Sequence, residues 1–153
     1  MMYLSSVANR SVKRNGGVMN NDVYVSYNAN PERKRVGDCT VRAISKALGQ
    51  EWEYTFLGLC LQGFIMHDMP SSDAVWGTYL HSKGFKRKTL ENECPQCYTI
   101  RDFCEEYKDG TYIVALDKHV VAVVDGKLYD TWDSTDESPI YYWYIKKGEE
   151  INE

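Results

Sequence analysis

His119-Val-Val-Ala-Val-Val-Asp-Gly-Lys-Leu-Tyr-Asp130 is the stretch that decides the fold. Val120–Val124 is β-branched but for one alanine, which favours a strand. Asp125-Gly126 behind it is the strongest two-residue hairpin signal in the chain. A two-residue loop sets position 124 opposite 127 and position 121 opposite 130. Strands are therefore predicted at His119–Val124 and Lys127–Trp132, flanked by Tyr112–Leu116 and Ile140–Ile145. Val23–Tyr27 alternates and is predicted to form a short strand as well.

Working upstream, the apolar period becomes helical. Val41, Ile44 and Leu48 form a stripe with Ala43 and Ala47. Asp38 stands at the N-cap position before it and Gly49 at C′ after it. A second helix is expected from Glu51 to about Phe64, with Cys60 in the core. A third runs from a Ser71 or Ser72 cap through Ser82. A fourth, short one opens on the capping box Thr99-Ile-Arg-Asp102 and ends by Asp109-Gly110. Asn28 to Arg35 reads as a polar loop around Pro31. Helices followed by antiparallel strands make an α+β pattern: a helical part packed on a small antiparallel sheet. Residues 1–20 read as a loose polar arm, 21–147 as one domain and 148–153 as an acidic tail.

Composition narrows the class. The chain has 153 residues, 43% of them hydrophobic, enough for one self-sufficient core. The net charge of −4 disfavours a nucleic-acid partner, which calls for a basic balance. No apolar run approaches the ~20 residues of a membrane span. Met1–Gly17 has basic residues but no apolar core, so it lacks the pattern of a signal peptide. Five cysteines, an odd number without such a signal, argue against a disulfide framework and for a reducing cytoplasm. Each thiol then needs its own explanation.

Cys39 falls at the first position of the first helix. Unpaired N–H groups and the positive end of the helix dipole favour a thiolate there, the form a nucleophile needs. Asp38 acts against this unless its charge is engaged elsewhere. A base is required too, and the chain has three histidines: His67 in a Met-rich loop, His81 on the third helix, and His119 at a strand start. Residues 119, 121 and 123 share a strand face. With the two-residue loop, Asp130 shares that face one diagonal from His119 and can orient the imidazole. A three-residue loop would present Asp133 instead. Asp130 is preferred and Asp133 held in reserve.

A helix-start cysteine, a strand histidine and an acid on the paired strand, in that order, resemble the papain-like cysteine-peptidase superfamily. The matching residues are Asp38-Cys39 with the run to Leu48, His119–Val124, and Asp130-Thr131-Trp132. The last resembles the Asn-Ser-Trp of papain-type enzymes, where the Trp shields the contact that orients the histidine. GDCTVRAISKALG (37–49) and HVVAVVDGKLYDTWDS (119–134) are more closely similar to small phage- and plasmid-borne proteins of unassigned function. The resemblance spans about residues 28–145. It implies a papain-like fold and a cysteine hydrolase with a Cys39–His119–Asp130 triad, no cofactor, and a protein or peptide substrate. An acyltransferase of transglutaminase type and a catalytically inactive binding protein remain alternatives. The chain departs from the papain pattern before the cysteine: Arg33, Lys34, Arg35 and Val36 stand where an oxyanion-binding Gln is usual. Asn28 or Asn30 would have to supply that amide, or else serve turn chemistry beside Pro31. A monomer is expected.

Cys94-Pro95-Gln96-Cys97 is a second candidate. With Cys104, and His81 as fourth ligand, it could be a zinc site, although a lone Cys-x-x-Cys is half the required set. A redox pair and ordinary loop thiols are the other readings. Tyr141-Tyr-Trp-Tyr144 should place two aromatics on the core and two outward. The basic clusters Arg33-Lys-Arg35 and Lys86-Arg-Lys88 read as solvated surface.

Overall fold

The computed structural model describes residues 23–91, 97–146, 148–149 and 151. The expected arm at 1–20, Cys94 and half of the 148–153 tail lie outside these residues. Four helices and six strands follow in the order β1 (Tyr24–Ser26), α1 (Cys39–Leu48), α2 (Trp52–Met66), α3 (Asp73–Ser82), β2 (Lys86–Thr89), α4 (Ile100–Glu106), β3 (Thr111–Leu116), β4 (His119–Val124), β5 (Lys127–Asp130) and β6 (Tyr141–Ile145). The fold is α+β.

The strands form one sheet in the order β1-β5-β4-β3-β6-β2. Its centre is the hairpin read from the sequence. Val124 pairs with Lys127 across Asp125-Gly126, both at positive φ, as a type I′ turn requires. The sheet is mixed rather than antiparallel, because β1 runs parallel to β5. The chain between those two strands builds all four helices before returning beside its starting strand. β2 is a further correction. Lys86–Thr89 is an exposed edge strand on β6 with no apolar alternation to announce it, and lysines suit an edge that must not template aggregation.

Helices cover both faces. On one, Ile113, Ala115, Val120 and Ala122 pack with Ile44 and Ala47 of α1, Leu59 of α2, and Trp76 and Leu80 of α3. On the other, Val114, Leu116, Val121 and Val123 pack with Ile100, Phe103 and Cys104 of α4. A strand covered on both sides has no polar face, which is why β4 reads as a continuous apolar run. The same layering corrects the aromatic strand: Tyr141 and Trp143 pack against the first cluster, Tyr142 and Tyr144 with the second.

Local signals account for two of the helix ends, while Asp38, Glu51 and Ser72 stand at N-cap positions without a side-chain capping bond. Gly49 adopts the left-handed conformation and its N–H returns to α1 carbonyls. Thr99 and Asp102 form the expected capping box. The fourth helix stops at Glu106, short of Asp109-Gly110, where Tyr107 turns its ring onto Phe103, Tyr112 and Tyr142. β5 stops at Asp130 rather than Trp132, because the Asp130 carboxylate accepts the next backbone N–H, from Thr131, at 2.7 Å. Cys60 is partly exposed rather than core. No helix among the described residues is long and apolar enough to cross a membrane.

Candidate active site

α1 lies across β4, which brings the helix start to the start of the strand. Cys39 Sγ there takes hydrogen bonds from His119, from the backbone N–H of Val120 and from the hydroxyl of Thr40. His119 Nε2 donates to Asp130 Oδ2 at 2.7 Å. Since Nε2 is committed to the carboxylate, the bond to sulfur falls to Nδ1. Cys39, His119 and Asp130 thus form a connected line, and Asp130 is the acid that orients His119.

Asp133 does not take that place. Its Oδ1 accepts from the backbone and hydroxyl of Thr135. The register agrees: a two-residue turn with Ala122 opposite Tyr129 leaves Asp130 next on the strand. Trp132 stacks on His119 with ring centroids 5.3 Å apart.

The charges pull the two titrating groups apart. Burial pushes the Cys39 thiol up, but the bonds from His119, Val120 and Thr40 and the His119 charge outweigh it and hold the thiol below its ordinary value. Burial pushes His119 down, but Asp130 and Cys39 overcome this and raise it to about 9. Both shifts favour a thiolate–imidazolium pair.

Behind the line stands a group the sequence did not suggest as part of the site. Arg42 is buried on the first turn of α1. Its Nη1 donates to Asp38 Oδ1 at 2.9 Å, and its Nη2 lies 3.9 Å from Asp130 Oδ1. Trp52 Nε1 donates to Asp38 Oδ2 at 2.9 Å. Ser134 Oγ donates to Asp130 Oδ2 at 2.7 Å. Asp38 therefore holds the N-cap position without capping with its side chain. Its carboxylate faces Arg42 and Trp52 instead, so a cation offsets the charge that opposes a Cys39 thiolate. The signal was present as an Asp–Arg pair four residues apart inside an apolar helix, a spacing that puts the two side chains on one face.

Asn28 and Asn30 serve the loop. Asn28 Oδ1 accepts from Asn30 N–H and its Nδ2 donates to Lys34 O. Asn30 Oδ1 accepts from the backbones of Glu32 and Lys34. Only Nδ2 of Asn30 stays outside these bonds.

His81 and Cys104, two of the suggested zinc ligands, do not come together. His81 is on α3, on one side of the sheet, while Cys104 is buried against the other. Cys97 is exposed, and Cys94 lies outside the described residues. Among the described residues no cluster of three or more His, Cys, Asp or Glu could hold a metal ion.

Comparison with protein-family models, with curated proteins and with solved structures finds no match to this chain.

Proposed function

We propose that the chain is a cysteine-nucleophile hydrolase of papain-like architecture, acting on an amide or isopeptide bond in a protein or peptide. The observation that carries the proposal is the position of His119, bonded to Asp130 at one ring nitrogen and to Cys39 at the other. A core packing cysteine needs no such partner. A buried histidine that merely fills space does not need a carboxylate and a thiol together.

The Cys39 thiolate attacks the carbonyl carbon, and the carbonyl π electrons move to oxygen. The N–H groups of the first turn of α1, left without a side-chain cap, are donors for that oxyanion. Asn30 Nδ2 is the side-chain donor that the loop bonds leave for it. Collapse of the intermediate expels the amine, which takes its proton from His119 Nδ1, and leaves a thioester on Cys39. His119 then takes a proton from water, whose oxygen attacks the thioester. The acid is released and the thiol regenerated. An amine in place of that water would give acyl transfer by the same steps.

The test is competitive labelling at neutral pH with a limiting amount of iodoacetamide, read by peptide mass. Cys39 should react at least about tenfold faster than Cys60 or Cys97. Equal rates would overturn the proposal. Incubation with an activated peptide ester should then leave an acyl group on Cys39, trapped at acid pH.

A further inference from the structure

α2 has two apolar faces and only one is covered. Thr55, Leu59 and Gly63 are buried along the inner face. Tyr54, Leu57, Leu61, Phe64 and Ile65 lie on the opposite side, within about a 100° arc at 100° per residue. These five are 61–78% exposed, and Met69 just beyond the helix is 68% exposed. From Tyr54 to Met66 the helix carries no charged residue. At roughly 150–250 Å² per large side chain, the six leave on the order of 700 Å² of mostly apolar surface in water. That exceeds the usual largest patch of a monomer, about 300–600 Å², and approaches the ~800 Å² each partner contributes to a standard interface.

We infer that this face is a dimer interface in which α2 packs antiparallel against α2 of a second copy. Two observations favour an identical partner. The outward residues 54, 57, 61 and 64 are spaced by three and four, the seam that meshes with another helix of the same spacing. A two-fold axis beside Leu61 sets Leu57 of one copy against Phe64 of the other and Tyr54 against the end of the partner helix. There a shallow cavity of about 350 Å³, lined by Gly63, Phe64, His67, Asp68 and Met69, stands open in this chain. The partner's α2 would fill it with the Tyr54 ring, placing the hydroxyl beside Asp68. The acidic residues at both ends of the helix, Glu51 and Glu53 at its start and Asp68 after it, disfavour an anionic membrane surface as the cover.

Sedimentation equilibrium of the full chain tests this. A species of twice the chain mass is expected at about 100 μM, well above the dissociation constant of a standard interface. Leu61→Glu places two like charges at the axis and should weaken the dimer by at least about 100-fold. Tyr54→Ala should weaken it by about tenfold through the emptied cavity. Leu57→Lys is the second disrupting variant. All three sites are exposed, so circular dichroism and the Cys39 labelling rate should match the wild type. A wild-type protein that stays monomeric at this concentration overturns the inference, whether or not it binds phosphatidylcholine vesicles. A dimer that survives both Leu61→Glu and Leu57→Lys overturns it as well. The readout does not depend on Cys39 chemistry, so failure here leaves the hydrolase proposal standing, and the reverse.

Discussion

Cys39 and Cys104 sit on helices that pack against opposite faces of one sheet, and burial acts on both thiols in the same direction. Their acidities nevertheless diverge. Cys104 is pushed up to about 12, since Arg101 and Lys127 offset little of the burial effect and Glu105 adds to it. Cys39 is pulled below its ordinary value by His119, the Val120 N–H and Thr40. Cys104 is buried and Cys39 half-buried, but the larger difference is in their neighbours. A helix start beside a strand start presents a thiol to unpaired donors and a cation, whereas the middle of α4 presents it to Phe103 and Ile100. The first surroundings favour the thiolate and the second the neutral thiol.

Removing Cys39 should break the contrast completely. Cys39→Ala is expected to abolish hydrolysis and acyl-adduct formation, with circular dichroism unchanged. Residual hydrolysis in that variant would mean the reaction is carried elsewhere. Asp130→Asn comes next. It keeps the shape but removes the charge that holds His119 in its raised state, so the histidine should titrate closer to its ordinary value. Rate should fall about 10²- to 10⁴-fold, the range for losing general acid–base function or its orienting carboxylate. Histidine titration by NMR checks the cause. If the His119 value stays near 9, Asp130 is not its principal partner.

Arg42 ranks third. Arg42→Met leaves the carboxylates of Asp38 and Asp130 buried without their shared cation, and breaking a buried pair this way costs about 3–5 kcal/mol. Urea unfolding gives the number. The Cys39 labelling rate should also drop, because Asp38 then opposes the thiolate unaided. The double variant Asp38→Asn with Arg42→Met should restore much of the lost stability. If it does not, Arg42 acts through packing rather than charge.

The line from Cys39 to Asp130 was legible because each of its parts rests on a local rule. The helix start followed from the stripe Val41–Leu48 with Gly49, and the register followed from Asp125-Gly126. One turn type set the pairing of β4 with β5, and that pairing placed Asp130 rather than Asp133. What depended on distant segments was not legible. The parallel pairing of β1 with β5 joins residues about a hundred positions apart. β2 forms because β6 offers it an edge, not because Lys86-Arg-Lys88 favours a strand. Arg42 was hidden for a related reason. Its meaning lies in a contact with Asp130 that only the folded sheet creates.

pH separates two roles of His119 that the comparison of thiols leaves joined. The thiolate–imidazolium pair exists above the lowered Cys39 value and below about 9, where His119 loses its proton. Alkylation needs only the thiolate, so its rate should rise through the acid limb and stay high above pH 9. Hydrolysis also needs His119 as the acid that protonates the leaving amine, so it should fall as pH passes 9. Parallel profiles on the alkaline side would show that His119 does not donate the proton.

Cys104→Ala is the smallest change and the control for the whole contrast. The side chain is 2% exposed, among Ile100, Phe103 and Val123 on the α4 face. Truncation removes one sulfur from a packed layer and leaves a small void, for a cost of about 1 kcal/mol. No charge or donor of the Cys39 site is touched, because the sheet lies between. Thermal unfolding should register a shift of a few degrees, while the labelling rate of Cys39 and its pH profile stay as in the wild type. A change in that profile would couple the two faces of the sheet, and the difference between the thiols could then no longer be assigned to their immediate neighbours.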